Sequence, residues 1–285
     1  MLTVVTWKWG SLFSPEYVNN LRAMLARHLH VDHRLVCIAD TDKGIGPGVE
    51  VLPMYTEHAD MTAGSRACFR RLRMFDPGMR EVLGPRFLHL DLDVVIVGDI
   101  TNLVIKTEPI LIYDQNAGTG AKKVAYNPSV LLMDAGAAPE IWTDFHADPQ
   151  GVWKKAKGAG FSCSDMSVIG LYLDKIKPPT LGPKDGLVAY WRDVKPKGRL
   201  PEHARAVLFY GNDNPHDPKV MAKNPWIRQH WGAGGKASGE PLVCGTSEAG
   251  STPAPPSKCC DGKRRHRPGC TVHRPGEAVS NSSDI

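Results

Sequence analysis

Arg86-Phe87-Leu88-His89-Leu90-Asp91-Leu92-Asp93-Val94-Val95-Ile96-Val97-Gly98-Asp99-Ile100 is the stretch whose reading decides the fold. Gly84-Pro85 bounds it, and Phe87, Leu88 and Leu90 predict a short buried strand. The strand ends in Asp91 and Asp93, with Leu92 between them. Period-two geometry places both acids on one side and Leu92 on the other. Two carboxylates that close repel, and they invite protonation unless a cation lies between them. Oxygen ligands of this kind suit Mn2+ or Mg2+, which in turn grip phosphates. Ligands of α/β sheets collect beyond the carboxyl ends of strands, where this pair falls. The plain alternative is a strand that closes in an acidic turn, and the flanking sequence decides between the two.

Upstream, residues 2–7 alternate as a strand that Trp7-Lys8-Trp9-Gly10 closes. Ser14-Pro15-Glu16 starts a helix, with Ser as N-cap, Pro in the first turn and an acid near the positive end. Tyr17, Leu21, Met24, Leu25 and Leu29 give that helix an apolar face. Strands over 34–38 and 49–54 follow. This β-α-β-β opening predicts an α/β sheet with one ligand crevice at its strand ends. Thr6, Trp7 and Lys8 would lie at that crevice, where Trp7 either stacks on a base or packs in the core. Residues 64–75 read as a helix that buries Cys68, Leu72 and Phe75. Arg66, Arg70 and Arg73 recur on another face, either solvated or reaching for a diphosphate.

Downstream, residues 103–113 predict a strand ending in Asp114, and Ser129 to Asp134 is an apolar run after Tyr126-Asn127-Pro128. Residues 139–157 read as helix, interrupted near Pro149. Ser162-Cys163-Ser164-Asp165 starts another helix, with the Ser-x-x-Asp spacing of a capping box. Residues 187–191 and 206–210 predict two further strands, followed by a turn-rich loop from Gly211 to Pro218. From about Gly232 the composition shifts. No aromatic residue follows Trp231, so residues 232–285 read as a low-complexity, disordered tail behind a domain of residues 1–231. Cys259, Cys260, Cys270 and His273 fit no common zinc spacing well.

Composition sets bounds. The 285 residues are 42% hydrophobic, enough for a globular core, and a net charge of +5 is too mild to indicate nucleic acid. No apolar run approaches the roughly 18 residues of a membrane span. The N-terminus opens as a strand without a basic region and cleavage site, so it reads as no signal peptide and predicts a cytoplasmic protein. The cysteines within residues 1–231 (Cys37, Cys68, Cys163) are then simplest as buried thiols.

Several of these stretches, in this order, resemble the glycogenin-like family of retaining GT-A glycosyltransferases. Residues 87–100 are similar to that family's strand, its metal-binding Asp-x-Asp and the Leu-x-Gly-Asn-Ile that follows. Tyr126 to Met133 resembles its Phe-Asn-Ser-Gly-Val-Leu-Val-Met segment, Ser164 to Ile169 its Asp-Gln helix start, and Leu208 to Pro215 its closing Phe-x-Gly-x-x-Lys-Pro loop. The resemblance spans roughly residues 2–230. It implies a Rossmann-like mixed sheet flanked by helices. It further implies that Asp91 and Asp93 bind Mn2+ (or Mg2+) on the diphosphate of a nucleotide sugar, most often a UDP-sugar, whose hexose passes to a carbohydrate or other acceptor. Arg70 or Arg73 would stand near the donor. Asp114 and Asn127 would hold sugar hydroxyls, Gly211 would belong to the donor-closing loop, and Asp165 would lie beside the anomeric carbon.

Three positions depart from the family pattern. Met166 replaces a Gln, Pro128-Ser129 displaces a Gly, and Leu208, Phe209 and Tyr210 stand where a third metal ligand, a His, is expected. His216, five residues beyond Gly211, is the candidate substitute. Two other readings share the Asp-x-Asp strand. One is a binding protein of the same fold that has lost the chemistry. The other is a haloacid dehalogenase-like phosphohydrolase, whose nucleophilic Asp normally opens its domain rather than following some 85 residues of β-α-β.

Overall fold

The alternating start of the chain, Leu2–Lys8, forms β1, and His33–Ala39 lies parallel to it as β2 along its whole length. Between them helix α1, Pro15–His28, opens at Ser14 and buries Tyr17, Val18, Leu21, Met24 and Leu25, as its spacing predicts. Ser14 has the extended backbone of an N-cap, but its side chain makes no capping hydrogen bond. The computed structural model describes residues 1–58, 61, 64–159 and 164–232. Ser162, Cys163 and the tail cysteines therefore lie outside the described residues, as does the tail's His273.

β3 (Val49–Pro53), β4 (Arg86–Leu90), β5 (Val94–Ile96), β6 (Ile110–Asp114), β7 (Tyr126–Asp134), β8 (Thr180–Leu181), β9 (Leu187–Ala189) and β10 (Ala206–Leu208) complete the strands. Seven form one sheet in the order β3-β2-β1-β4-β7-β6-β8, and β5-β10-β9 form a second. The large sheet is mixed, since β7 runs antiparallel to β4 and β6 while the other pairs are parallel. The expected mixed α/β sheet flanked by helices is thus the observed architecture.

Side-chain alternation divides the core in two. Val4, Leu88, Leu90, Val130 and Leu132 face α1 and the small sheet. Val5, Phe87, Leu131 and Met133 face Leu72, Phe75, Trp142, Phe145 and Ile169 on the opposite layer. Leu21 and Leu25 of α1 are fully buried; burial of this kind is worth about 1.5–3 kcal/mol per side chain.

Four elements differ from expectation. Residues 103–113 are not one strand: Thr101–Val104 is a short helix, and pairing begins only at Ile110, after Pro109, which has no N–H to donate. The strand expected over 187–191 stops at Ala189, because Tyr190–Val194 winds into a π-helical turn. β5, next to the acidic pair, is an additional strand held by β10, with Val94 opposite Leu208. Residues 64–75 are helical but wind as a 3-10 helix, with 3.0 rather than 3.6 residues per turn. That change of period alters which arginine faces the interior.

Candidate active site

The topology gathers the candidate residues at one edge. β1, β2 and β4 run parallel, so Lys8, Ala39 and Leu90 end together, and Asp91 and Asp93 follow directly. β6 shares that direction and delivers Asp114, while antiparallel β7 begins there with Tyr126 and Asn127. β7 is irregular at this end. Its register with β6 jumps between Ile112, opposite Leu131, and Tyr113, opposite Asn127, which leaves Pro128 where no ladder hydrogen bond is needed.

Asp91 is anchored on both sides. Its N–H donates to the Ser129 carbonyl at 3.0 Å, and its Oδ2 accepts from Ser129 Oγ at 2.7 Å. Its Oδ1 accepts from Nη1 of Arg71. Nη2 of the same guanidinium lies 2.8 Å from Oδ2 of Asp165. Arg71 therefore joins the strand-end acid to the acid that opens the helix Asp165–Ile176. Asp165 is only 1% exposed. Burial pushes its carboxyl up; Arg71 and the Met166 N–H oppose that, and the nearby Asp91 adds to it. For Asp91 burial acts the same way, yet Arg71 outweighs it and holds the carboxyl below its usual range. Burial works against the Arg71 cation too, but Asp165 and Asp91 overcome it and hold the proton more firmly than usual. Cys68, one 3-10 turn before Arg71, lies against Asp165, and its thiol is pushed up to about 12, first by burial and then by that acid.

His89 lies beneath this cluster without solvent exposure. Its pKa is pushed down to about 4, chiefly by burial, with Arg71 adding to the effect against Asp91. The ring is neutral, and its Nδ1–H donates to the Pro128 carbonyl at 2.6 Å, so the displaced segment of β7 is held in place. Asp93 is different. Its own backbone N–H is the one hydrogen-bond donor to its carboxylate among the described residues, and burial followed by the adjacent Asp91 raises it well above the usual range.

The remaining predicted residues fall into two groups. Asn127 and Asp114 stand at the same edge. Asn127 is buried, accepting from the Ser129 N–H at 2.8 Å and donating to Gln115 Oε1 at 3.0 Å. Asp114 Oδ1 accepts from the N–H groups of Asn116 and Ala125, each at 2.9 Å. Gly211 follows β10 with φ of +100°, a conformation that favours glycine, and is exposed. The second group is engaged within the fold. Thr6, Trp7 and Lys8 are buried because both faces of the sheet are covered, and Trp7 packs in the core near Tyr55. Arg73 pairs with Glu57 at 2.6 Å and Asp76 at 3.0 Å and stacks over Tyr55 and Trp142. Arg70 donates to the Tyr55 carbonyl at 3.4 Å, and both arginines line a recess away from Asp91. Arg71, rather than Arg70 or Arg73, is the arginine that meets Asp91. The capping box also fails in register: Asp165 is the first residue of its helix with Ser164 at the N-cap, so Asp165 does not stand at the third position.

The metal expected at Asp91 and Asp93 meets an open but incomplete donor set. Among the described residues no three His, Cys, Asp or Glu side chains come together to hold an ion. His216 is not gathered with the two acids into such a group, and its Nδ1 is hydrogen-bonded to the Tyr17 hydroxyl. Leu208 and Phe209, on the ground of the missing His, are core residues; Phe209 stacks on Tyr190 with 4.4 Å between ring centroids. The uncommitted Asp93 beside Asp91 nevertheless fits a hard cation of the type that takes one or two carboxylates and completes its shell with waters and substrate phosphates.

No protein-family model matches the sequence, and no curated protein matches it. Solved structures do. The galactosyltransferase LgtC, in complex with donor and acceptor sugar analogs, superposes with a TM-score of 0.53 at 11% identity, over 79% of this chain and 94% of that one. The glycosyltransferase GlyE of Streptococcus pneumoniae TIGR4 superposes with a TM-score of 0.53 at 15% identity, over 81% of this chain and 62% of that one. The apo form of GlyE gives 0.51. The class so defined is the GT-A fold. At 11–15% identity the likeness is one of fold, and it does not single out the glycogenin-like branch. No helix among the described residues is long and apolar enough to cross a membrane.

Proposed function

We propose that this protein is a nucleotide-sugar-dependent glycosyltransferase, a hexosyltransferase that uses a UDP-sugar and retains the anomeric configuration. The observation that carries the reading is the Asp91–Arg71–Asp165 bridge at the carboxyl edge of a GT-A sheet. A buried helix-start acid tied through one guanidinium to the Asp-x-Asp strand exceeds what either element needs for folding. Buried charges of this kind cost stability and cluster at functional sites.

Asp91 and Asp93 would hold Mn2+ or Mg2+, which when bound neutralises charge on the departing diphosphate. The remaining roles belong to side chains of this chain. Arg71 opposes the protonation that burial favours at Asp165 and fixes its carboxyl, whose negative charge would face the positive charge developing on the sugar ring. Asn127 and Asp114 lie at the edge where sugar hydroxyls are to be met, each held by its own hydrogen bonds before the donor arrives. Gly211 leaves space at the mouth, since a Cβ there meets nothing within 4 Å. The folded unit proposed to do this is residues 1–231, with an acceptor that is a carbohydrate or another hydroxyl compound.

The phosphohydrolase alternative is not supported by the topology, because its nucleophilic Asp normally opens the domain, whereas Asp91 follows the fourth strand of this chain. A silent binding protein is favoured by one observation, the absence of a third ligating side chain among the described residues. A thermal-shift screen of nucleotide sugars with Mn2+ or EDTA, followed by NMR of the product's anomeric proton, tests the proposal. Stabilisation by a UDP-sugar and a product of retained configuration are expected. Binding without turnover selects the silent reading, and an inverted product removes the retaining one.

A further inference from the structure

The loop that follows β10 contains a histidine whose orientation is fixed from the other end of the chain. Tyr17, on the first turn of α1, is buried, and its hydroxyl is hydrogen-bonded to His216 Nδ1. The two rings meet edge to face at 5.6 Å, and Trp231 packs on Tyr17 in the same way at 4.9 Å. His216 itself is exposed. A phenol is the better donor of the two groups, so Nδ1 accepts, the ring proton resides on Nε2, and that N–H is the group left for a ligand. Nε2 makes no hydrogen bond among the described residues.

The location is equally defined. α1 packs on β5, where Met24 Sδ accepts the Ile96 N–H at 3.2 Å. β10 pairs Leu208 with Val94, so the loop leading to His216 leaves the sheet beside Asp93. The charge of Asp93 reaches Tyr17, whose hydroxyl is raised first by burial and then by that acid. An exposed, orientation-locked N–H donor on the loop that leaves the sheet beside Asp93 suits an anion held at that edge.

We infer that Tyr17 and His216 form a phosphate-binding pair, in which His216 Nε2–H donates to the diphosphate of the bound nucleotide and Tyr17 is the positioning residue that holds it there. His216 is on this view an anion donor and not the missing metal ligand. The inference rests on the nucleotide-sugar reading, so its test separates the two. Binding of UDP and of uridine is measured by calorimetry for the wild type, Tyr17→Phe, His216→Ala and the double variant, in Mn2+ and in EDTA.

The expected result is a loss of UDP affinity of about tenfold for His216→Ala and severalfold for Tyr17→Phe, in both media, with uridine affinity unchanged. The double variant is expected to be no weaker than His216→Ala, because the two residues act through one hydrogen bond. Tyr17→Phe keeps the packed ring, and an unchanged melting temperature verifies that the effect is not one of folding. Unchanged UDP affinity in both single variants overturns the pair while leaving the donor reading in place. A loss seen only in Mn2+ makes His216 a metal ligand and also overturns it. A wild type that binds no UDP in either medium removes the donor reading and the pair together.

Discussion

Replacing Arg71 by Met keeps the stem's bulk and removes the one cation that serves two buried acids. Its side chain is 13% exposed, those of Asp91 and Asp165 20% and 1%. Removing one partner of a buried ion pair typically costs about 3–5 kcal/mol, because an uncompensated charge remains. Most of that cost should fall on Asp165, since Asp91 keeps the Ser129 hydroxyl and some contact with solvent. We expect Arg71→Met to lose about 3–5 kcal/mol at pH 7.5 by urea unfolding, and Arg71→Met/Asp165→Asn to lose only about 1–2 kcal/mol, because the amide removes the stranded charge. The pH dependence has a definite sign. Without Arg71 both carboxyls have folded pKa values above their unfolded ones, so the folded state takes up protons more readily and stability rises as pH falls from 7.5 toward 5.5. In the wild type, Asp91 acts oppositely: its lowered carboxyl stabilises above the ordinary carboxylate range, and that contribution is lost on acidification. A loss under about 1 kcal/mol, or one that does not shrink at pH 5.5, refutes the bridge as described.

Asp93→Asn should raise the melting temperature of the metal-free protein, since a carboxyl held above its usual range is costly to ionise, and should abolish any Mn2+-dependent shift with UDP; a retained Mn2+ response counts against the cation site. Asp91→Asn should destabilise instead, through loss of the charged pair with Arg71, and unfolding midpoints of the two variants are expected to move in opposite directions. Asp165→Asn should lower kcat about a hundredfold, on the order of 3 kcal/mol, with donor affinity nearly unchanged; full activity would return this acid to a purely structural role. Truncation after Gly232 should leave the unfolding midpoint unchanged, whereas Trp231→Ala, which strips a buried ring from Tyr17, should cost about 3–5 kcal/mol.

The strand-and-acid pattern of residues 86–93 was enough to read the sheet, because burial on both faces leaves a continuous apolar run that polar chemistry then terminates. Asn127, Asp114 and Asp165 reached the same edge for the same reason: each is a polar residue at the end or start of an apolar element. Arg71 was missed because an α-helical period puts Arg66, Arg70 and Arg73 on one face, whereas 3-10 winding aligns Cys68, Arg71 and Met74. The available signal was its apolar company at spacing three. Trp7 was ambiguous in sequence, since only the packed structure shows a layer covering its face of the sheet. Tyr17 and His216 were out of reach of pattern reading, because a hydrogen bond across most of the chain leaves no local trace.

The small sheet has a consequence for how the protein is made. β5 follows the acidic pair immediately, yet its partner β10 is among the last strands of the described chain. Until that partner leaves the ribosome, Val94-Val95-Ile96 is an unpaired apolar edge of the kind that recruits foreign strands. Long-range pairings of this kind also slow folding, because loop closure precedes any reward. Asp93 therefore acquires its surroundings only when nearly the whole domain has been synthesised. A nascent chain halted before Ala206 should carry the acidic motif in full and yet be insoluble.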